Sequence, residues 1–425
     1  MKIAVLGAGP MGLAVAYRLV QCGYSPVLFE SSDRVGGMTS TFDFGGINIE
    51  RFYHFHCTSD GYFLNLLKEL KIDNKMVWRE TKMGYWYNNK LQDWGNPFAL
   101  LSFDGVSLMS KFRYGLHAFL CVKKNNWNSI ESVNASKWIK NWVGQEAYTV
   151  FWDKLFKYKF FGYGGELSSS WILARIRRIG RSRYNIFSEK LGYLIGGSQT
   201  FLDAITVFIK NNGGLIRLNT PVTKVLVNKG TVYGILIENK TEYFDKVIST
   251  IPLPYIPKII PDLPEYILKK INLIDNMAVV CIIVKLKKKL SHNFWLNIND
   301  EGMDIPGLVE YSNLCQMNEN IIYVPFYIHG DNPKYNDSDK VFIGKVCRYL
   351  KIINKNILDD DIIDVCVNRY KYAQPICVPN FLSKLPPVSV FTNLWIADTS
   401  YYYPEDRGIS ESIGFGFKLA DLALI

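Results

Sequence analysis

The run from Lys2 to Met38, KIAVLGAGPMGLAVAYRLVQCGYSPVLFESSDRVGGM, constrains this chain more than any other stretch. Ile3, Val5 and Leu6 open it as an apolar strand. Gly7, Gly9 and Gly12 then fall in the G-x-G-x-x-G spacing. Leu13, Ala14, Ala16, Tyr17, Leu19 and Val20 recur at helical period, and Val27 to Phe29 give a second strand that ends at Glu30. In that order the glycines have distinct jobs. Gly7 permits the turn, Gly9 lets backbone approach a pyrophosphate, and Gly12 lets helix pack on strand. The phosphates face the free N–H groups and positive end of a helix starting near Pro10 and Met11. Glu30 is placed to accept from an adenosine ribose. The first sixteen residues also resemble a secretory signal, but a signal has no use for ordered glycines, a second strand and a terminal acid.

The dinucleotide is chosen just downstream. Ser31 and Ser32 lead into Asp33-Arg34-Val35-Gly36-Gly37-Met38. The glycine pair gives a second close approach of backbone and Arg34 a fixed cation for the same pyrophosphate. A nicotinamide dehydrogenase needs neither, so FAD is favoured over NAD.

Farther on, Glu50-Arg51-Phe52-Tyr53-His54-Phe55-His56 follows a turn at Gly45-Gly46. Zinc needs more ligands than two histidines, which leaves His54 facing flavin or substrate, or simply packing. Residues 107–127, SLMSKFRYGLHAFLCVKKNNW, are apolar with Lys111, Arg113, Lys123 and Lys124. Such a helix lies either in a membrane interface or inside a substrate domain. Arg175 and Arg178, three apart, share a helix face beside Trp171 and Ile172, and guanidinium forks suit phosphate or carboxylate; a solvated basic face is the alternative. Gly196-Gly197-Ser198-Gln199 opens another helix. Near the C-terminus, Leu394 to Ala397 form a buried strand ending at Asp398, suited to a ribityl hydroxyl. Arg407-Gly408-Ile409 then opens the last helix, whose N-terminus can stabilise charge on a flavin.

A chain of 425 residues with 48% hydrophobic content is long enough for two cored domains. The formal charge of +10 admits nucleic acid, a membrane surface or an anionic substrate. No helix-turn-helix, zinc or RNP pattern supports nucleic acid. Eight scattered cysteines without a C-x-x-C pair read as reduced, cytosolic thiols, and no apolar run is long enough to span a bilayer. The expected location is therefore cytoplasmic, with peripheral contact at the inner face of a membrane as an option. The expected fold class is α/β, a Rossmann-like FAD-binding domain interleaved with a mixed-sheet and helical substrate domain. Residues 1–53, 193–256 and 386–425 form the first, and 54–192 and 257–385 the second.

GAGPMG, Glu30, DRVGGM, TPVTKV, VISTIP and WIAD before a glycine-led helix together resemble the flavin-containing amine oxidase and protoporphyrinogen-oxidase-like superfamily, over nearly the whole chain. IERFYHFH, WILARIRRIGRSR, KLGYLIGGSQ, YAQP and YPEDRG extend the resemblance to family members described only as FAD-dependent oxidoreductases. Where the family commonly has Gly-Asp, this chain has Ala397-Asp398. The resemblance implies FAD held by Gly7, Gly9, Pro10, Met11, Gly12, Glu30, Ser31, Arg34, Gly36, Gly37, Met38, Val222, Asp398, Gly408 and Ile409. With no cysteine near the C-terminal segment, the FAD is expected to be non-covalent. His54 and Tyr402 are expected beside the flavin, and Arg175 and Arg178 on an anionic, phosphorylated or glycan-type substrate. The superfamily also contains UDP-galactopyranose mutase, so a non-redox mutase acting on a nucleotide sugar or lipid-linked glycan stands as the alternative to an oxidoreductase.

Overall fold

The computed structural model describes residues 1–183 and 188–425; residues 184–187, within the stretch read as substrate domain, lie outside the described residues. A six-stranded sheet runs in the order Ser389–Phe391, Leu394–Ile396, Lys246–Ser249, Ile3–Leu6, Val27–Phe29, Leu215–Arg217. All its neighbours are parallel except the Ser389–Phe391 edge. Ile3–Leu6, in its middle, is buried on both faces, as parallel strands are.

The helix Pro10–Gln21 starts directly after the glycine turn. Its residues Met11 to Tyr17, Leu19 and Val20 are buried, so it is a core element. The last helix, Ile409–Leu424, crosses it closely: a Cβ on Gly416 would lie 2.6 Å from the Met11 carbonyl oxygen. The helix Gly61–Glu69 joins the same core through Phe63, Leu66 and Leu67. Its apolar face meets the last helix, and Phe63 sits edge-on to Phe201 at 5.3 Å.

A seven-stranded sheet, in the order Ile362–Pro375, Asn276–Leu286, Asn320–His329, Gly307–Glu310, Trp295–Asn299, Met83–Tyr87, Lys90–Trp94, forms the second body. It is antiparallel except where Trp295–Asn299 meets Met83–Tyr87. The hairpin Met83–Tyr87/Lys90–Trp94 turns through Asn88 and Asn89, both at positive φ, as a two-residue turn requires. Helices Leu108–Lys123, Ala135–Tyr148 and Ser169–Arg181 pack together beside this sheet.

Candidate active site

One continuous cavity of about 1520 Å³ runs from the glycine turn to the helical region, large enough for an extended cofactor and a substrate together. At one end lie Gly7, Gly9, Pro10 and Met11, with Glu30, Ser31 and Arg34 and then Gly37 and Met38. Val222 lines it beside Thr220, and Asp398, Gly408 and Ile409 line it where the last helix begins. His54, Tyr402, Arg175 and Arg178 face the same space.

Gly12 and Gly36 do not line it; they shape it. A Cβ on Gly12 would sit 1.9 Å from the Gly7 carbonyl oxygen, so the helix can approach the first strand only with glycine there. Gly36 has φ +109°, and its N–H donates to the Ala8 carbonyl at 2.8 Å, which ties the second glycine loop to the first. Gly9 differs: a Cβ there would meet nothing within 4 Å, so its missing side chain leaves open cavity. With the unbonded N–H groups of the first helical turn behind it, this is a cradle that fits a pyrophosphate.

Glu30 accepts from the Ala8 N–H at 2.8 Å and from the Ser32 N–H and hydroxyl at 2.9 Å. The carboxylate therefore fixes the turn as well as facing the cavity. Arg34 pairs with Asp33 at 2.8 Å and donates to the Thr41 carbonyl at 2.9 Å. Asp398 accepts from the Leu253 and Ser400 N–H groups, each at 2.8 Å, while burial pushes its carboxyl above the usual range. Tyr402 donates to Ser412 at 2.9 Å, and Ser412 donates to the Gly408 carbonyl at 2.8 Å, which fixes the ring beside the helix start.

His54 stands on a buried carboxylate. Its Nδ1 lies 3.2 Å, and its N–H 3.0 Å, from one oxygen of Glu50; the other oxygen accepts the Ser198 N–H at 2.9 Å and the Ser198 hydroxyl. Burial alone would raise the Glu50 carboxyl, but the hydrogen bonds from His54 and Ser198 hold it below the ordinary range. His56 also lines the cavity, stacked on Phe63 at 4.1 Å, and burial lowers it to about 4.

The two arginines come together in the cavity, and each meets a carboxylate. Arg175 pairs with Asp406 at 2.6 Å. Arg178 grips Asp60 through Nη2 at 2.9 Å and Nε at 3.2 Å. Burial would raise Asp406, yet Arg175, Lys159, Arg407 and Arg178 together hold it low. Lys159, which sequence reasoning passed over, lines the cavity with its ammonium 5.9 Å from the Trp295 ring centroid. It has no carboxylate within ion-pair distance among the described residues, and burial together with Arg175 lowers it to about 7. Lys159 sits in a Lys-rich run that looks like a solvated face, and only the fold reveals that it points inward.

Comparison with known proteins assigns the family and the fold. The family described as "Flavin containing amine oxidoreductase" matches residues 12–371. A 15-cis-phytoene desaturase of Glycine max is 23% identical over 319 residues, which cover 69% of this chain and 55% of that protein. The chain thus spans about half the length of the curated relatives it matches. A putative protoporphyrinogen oxidase from Exiguobacterium superposes with a TM-score of 0.76 at 15% identity, over 100% of this chain and 98% of the other. A reduced UDP-galactopyranose mutase superposes at 0.75 and 15%, over 100% and 95%. Likeness at such identity is likeness of fold; the family match over most of the chain carries the assignment. This protein belongs to the flavin-containing amine oxidoreductase family.

Proposed function

We propose that the protein is an oxidoreductase that binds FAD non-covalently and oxidises a small anionic substrate of phosphorylated or glycan type. The observation that carries the substrate class is the charge at the far end of the cavity. Arg175, Arg178, Lys159 and Arg407 converge there around the acids Asp60 and Asp406, and the balance of charge is positive. An anion entering this low-dielectric space meets Lys159, which has no carboxylate within ion-pair distance among the described residues, and Arg407, whose guanidinium donates to the Ala373 carbonyl. Arg175 and Arg178 act by shaping the field and holding the acids, and Lys159 makes the direct contact.

FAD, when bound, supplies the acceptor for a hydride from a substrate C–H. Glu30 would hold the ribose end and Asp398 the ribityl chain, and the N–H groups at Gly408 and Ile409 would favour negative charge on the ring. Tyr402 would wall the ring, and His54, oriented by Glu50, would hold a proton at Nε2. The mutase alternative is not favoured. The arginines it needs for a diphosphate each hold a carboxylate, and the matching family and curated relatives are oxidoreductases.

The test is anaerobic. Yellow purified protein is mixed with anionic donors, including sugar phosphates, and with neutral amines, and the flavin absorbance is followed. Bleaching by an anionic donor, with recovery on adding oxygen or a quinone, is the expected result. Bleaching only by neutral amines overturns the substrate class. Isomerisation of a UDP-sugar by the photoreduced enzyme, without net flavin oxidation, overturns the redox reading. Glu30→Ala should weaken FAD binding about tenfold or more, since an acceptor of several hydrogen bonds at the cavity wall is lost; equal flavin retention would remove Glu30 from the ribose.

A further inference from the structure

The helix Leu108–Lys123 is built inside out. At about 100° per residue, Leu108, Met109, Phe112, Leu116, Phe119 and Leu120 fall within an arc of about 120°. A surface helix of a globular protein turns such an arc inward. Here the arc faces outward, and Ser110, Lys111, His117 and Cys121 are the buried side. His117 sits edge-on to Trp138 at 4.7 Å, and Lys111 donates to the Leu101 carbonyl at 2.6 Å, so the orientation is locked by contacts of the polar face. The short helix Pro97–Ser102 adds Phe98 and Leu101 to the same region. Leu108, Met109, Phe112, Phe119, Phe98 and Leu101 are between 58 and 73% exposed. That many large apolar side chains on two consecutive helices exceed the scattered exposure normal for a soluble surface.

Charge indicates what covers this face. Lys111 turns inward and Arg113 donates to the Trp142 and Asn141 carbonyls, which leaves Lys123 and Lys124 as the outward cations of residues 97 to 127, while the acid of that stretch, Asp104, pairs with Lys90. Phe119 and Lys123 are at once exposed and part of the cavity wall, with Gly115, Ala118 and Val122 beside them, so the cavity reaches the surface through this face. We propose that the Pro97–Ser102 and Leu108–Lys123 helices dock on an anionic lipid bilayer, their apolar arc in the interface and Lys123 and Lys124 at the phosphates, with the cavity mouth held against the membrane. A second copy is the poorer occupant, because a two-fold contact would lay the basic face on itself. Among the described residues no helix is long and apolar enough to cross a membrane, so the contact is with one leaflet. The inference does not depend on which compound is oxidised.

The full-length, flavin-loaded protein is sedimented with vesicles of phosphatidylcholine alone or with phosphatidylglycerol added. Wild type should pellet with the anionic vesicles, bind the neutral ones about tenfold or more weakly, and lose binding as salt rises. The triple substitution Leu108→Ser, Met109→Ser, Phe112→Ser lies off the cavity wall. It should keep its flavin and lose at least about tenfold in partition. Lys123→Glu with Lys124→Glu should abolish the preference for phosphatidylglycerol. Wild type remaining in the supernatant overturns the proposal, as does a triple variant that still pellets with full flavin. A wild type that is dimeric by light scattering, made monomeric by the triple substitution and indifferent to vesicles, gives the face to a second copy and also overturns it.

Discussion

The two ends of the cavity are built on opposite plans. At the nucleotide end, apolar side chains fill the interior and the site itself is nearly all backbone: a turn at Gly7, an open edge at Gly9, two glycine loops tied by one N–H. At the helical end, cations are buried and apolar side chains point outward. Arg175, Arg178 and Lys159 stand inside while Phe112 and Leu108 stand outside. The first plan is specified by local steric rules, so each residue acts within a few positions of itself. The second is specified by partners far along the chain, since Asp60 and Asp406 lie 118 and 231 residues from the arginines they meet.

The largest test of the first plan sets two glycines against each other. Gly12→Val forces a side chain against the Gly7 carbonyl and Thr250 hydroxyl, neither of which can move without breaking the first turn. It should cost about 3 kcal/mol or more and give a colourless, poorly folded protein, read by denaturant midpoint and flavin absorbance. Gly9→Ala places its methyl in open cavity at an ordinary φ of −70°. It should leave the midpoint within about 0.5 kcal/mol of wild type in the flavin-free protein while weakening flavin binding. Similar behaviour of the two variants would break the division between a glycine that packs and a glycine that makes room.

The second plan is tested by removing one partner of a buried pair. Asp60 holds Arg178 and also accepts the Cys57 N–H at 2.9 Å, ahead of the Gly61–Glu69 helix. Asp60→Ala strands a buried guanidinium and should cost about 3–5 kcal/mol in a denaturant titration. The double change Asp60→Ala with Arg178→Met should recover part of that loss. If the double variant is no more stable than the single one, the pair is not the source of the cost.

The contrast also explains what could be read from residues alone. Strand, turn, helix and acid in the first thirty positions are linked by spacing, so the glycine turn and the parallel strands were legible there. The arginine face was legible as a face, because Arg175 and Arg178 share one by helical period. Their carboxylate partners were not, since nothing local connects residue 178 to Asp60. Lys159 was hidden by its own neighbours: Lys154 and Lys157 make the run look solvated. The Leu108–Lys123 helix was ambiguous for a related reason. Its apolar arc identifies a buried face in one environment and a membrane face in another, and the choice rests on which side meets the rest of the protein.

Lys159 gives the smallest effect and the most particular one. Its ammonium is lowered from the ordinary lysine value to about 7 by burial and by Arg175. Between about pH 7 and the ordinary lysine value of about 10.4 the unfolded chain binds a proton that the folded chain does not, so stability rises with pH across that window. Below pH 7 the folded protein carries a cation for which burial and the neighbouring Arg175 outweigh the attraction of Asp406, and the handicap is fully present. Lys159→Met should therefore stabilise the protein at pH 6, by roughly 1–3 kcal/mol, and do much less near pH 10. Anion binding should follow the opposite course, since the ammonium is the form that attracts. Inorganic phosphate or an anionic donor should bind wild type more weakly as pH rises through about 7, and bind Lys159→Met weakly with a flatter profile. A variant that loses affinity equally at every pH would assign Lys159 to packing and leave the anion to Arg407.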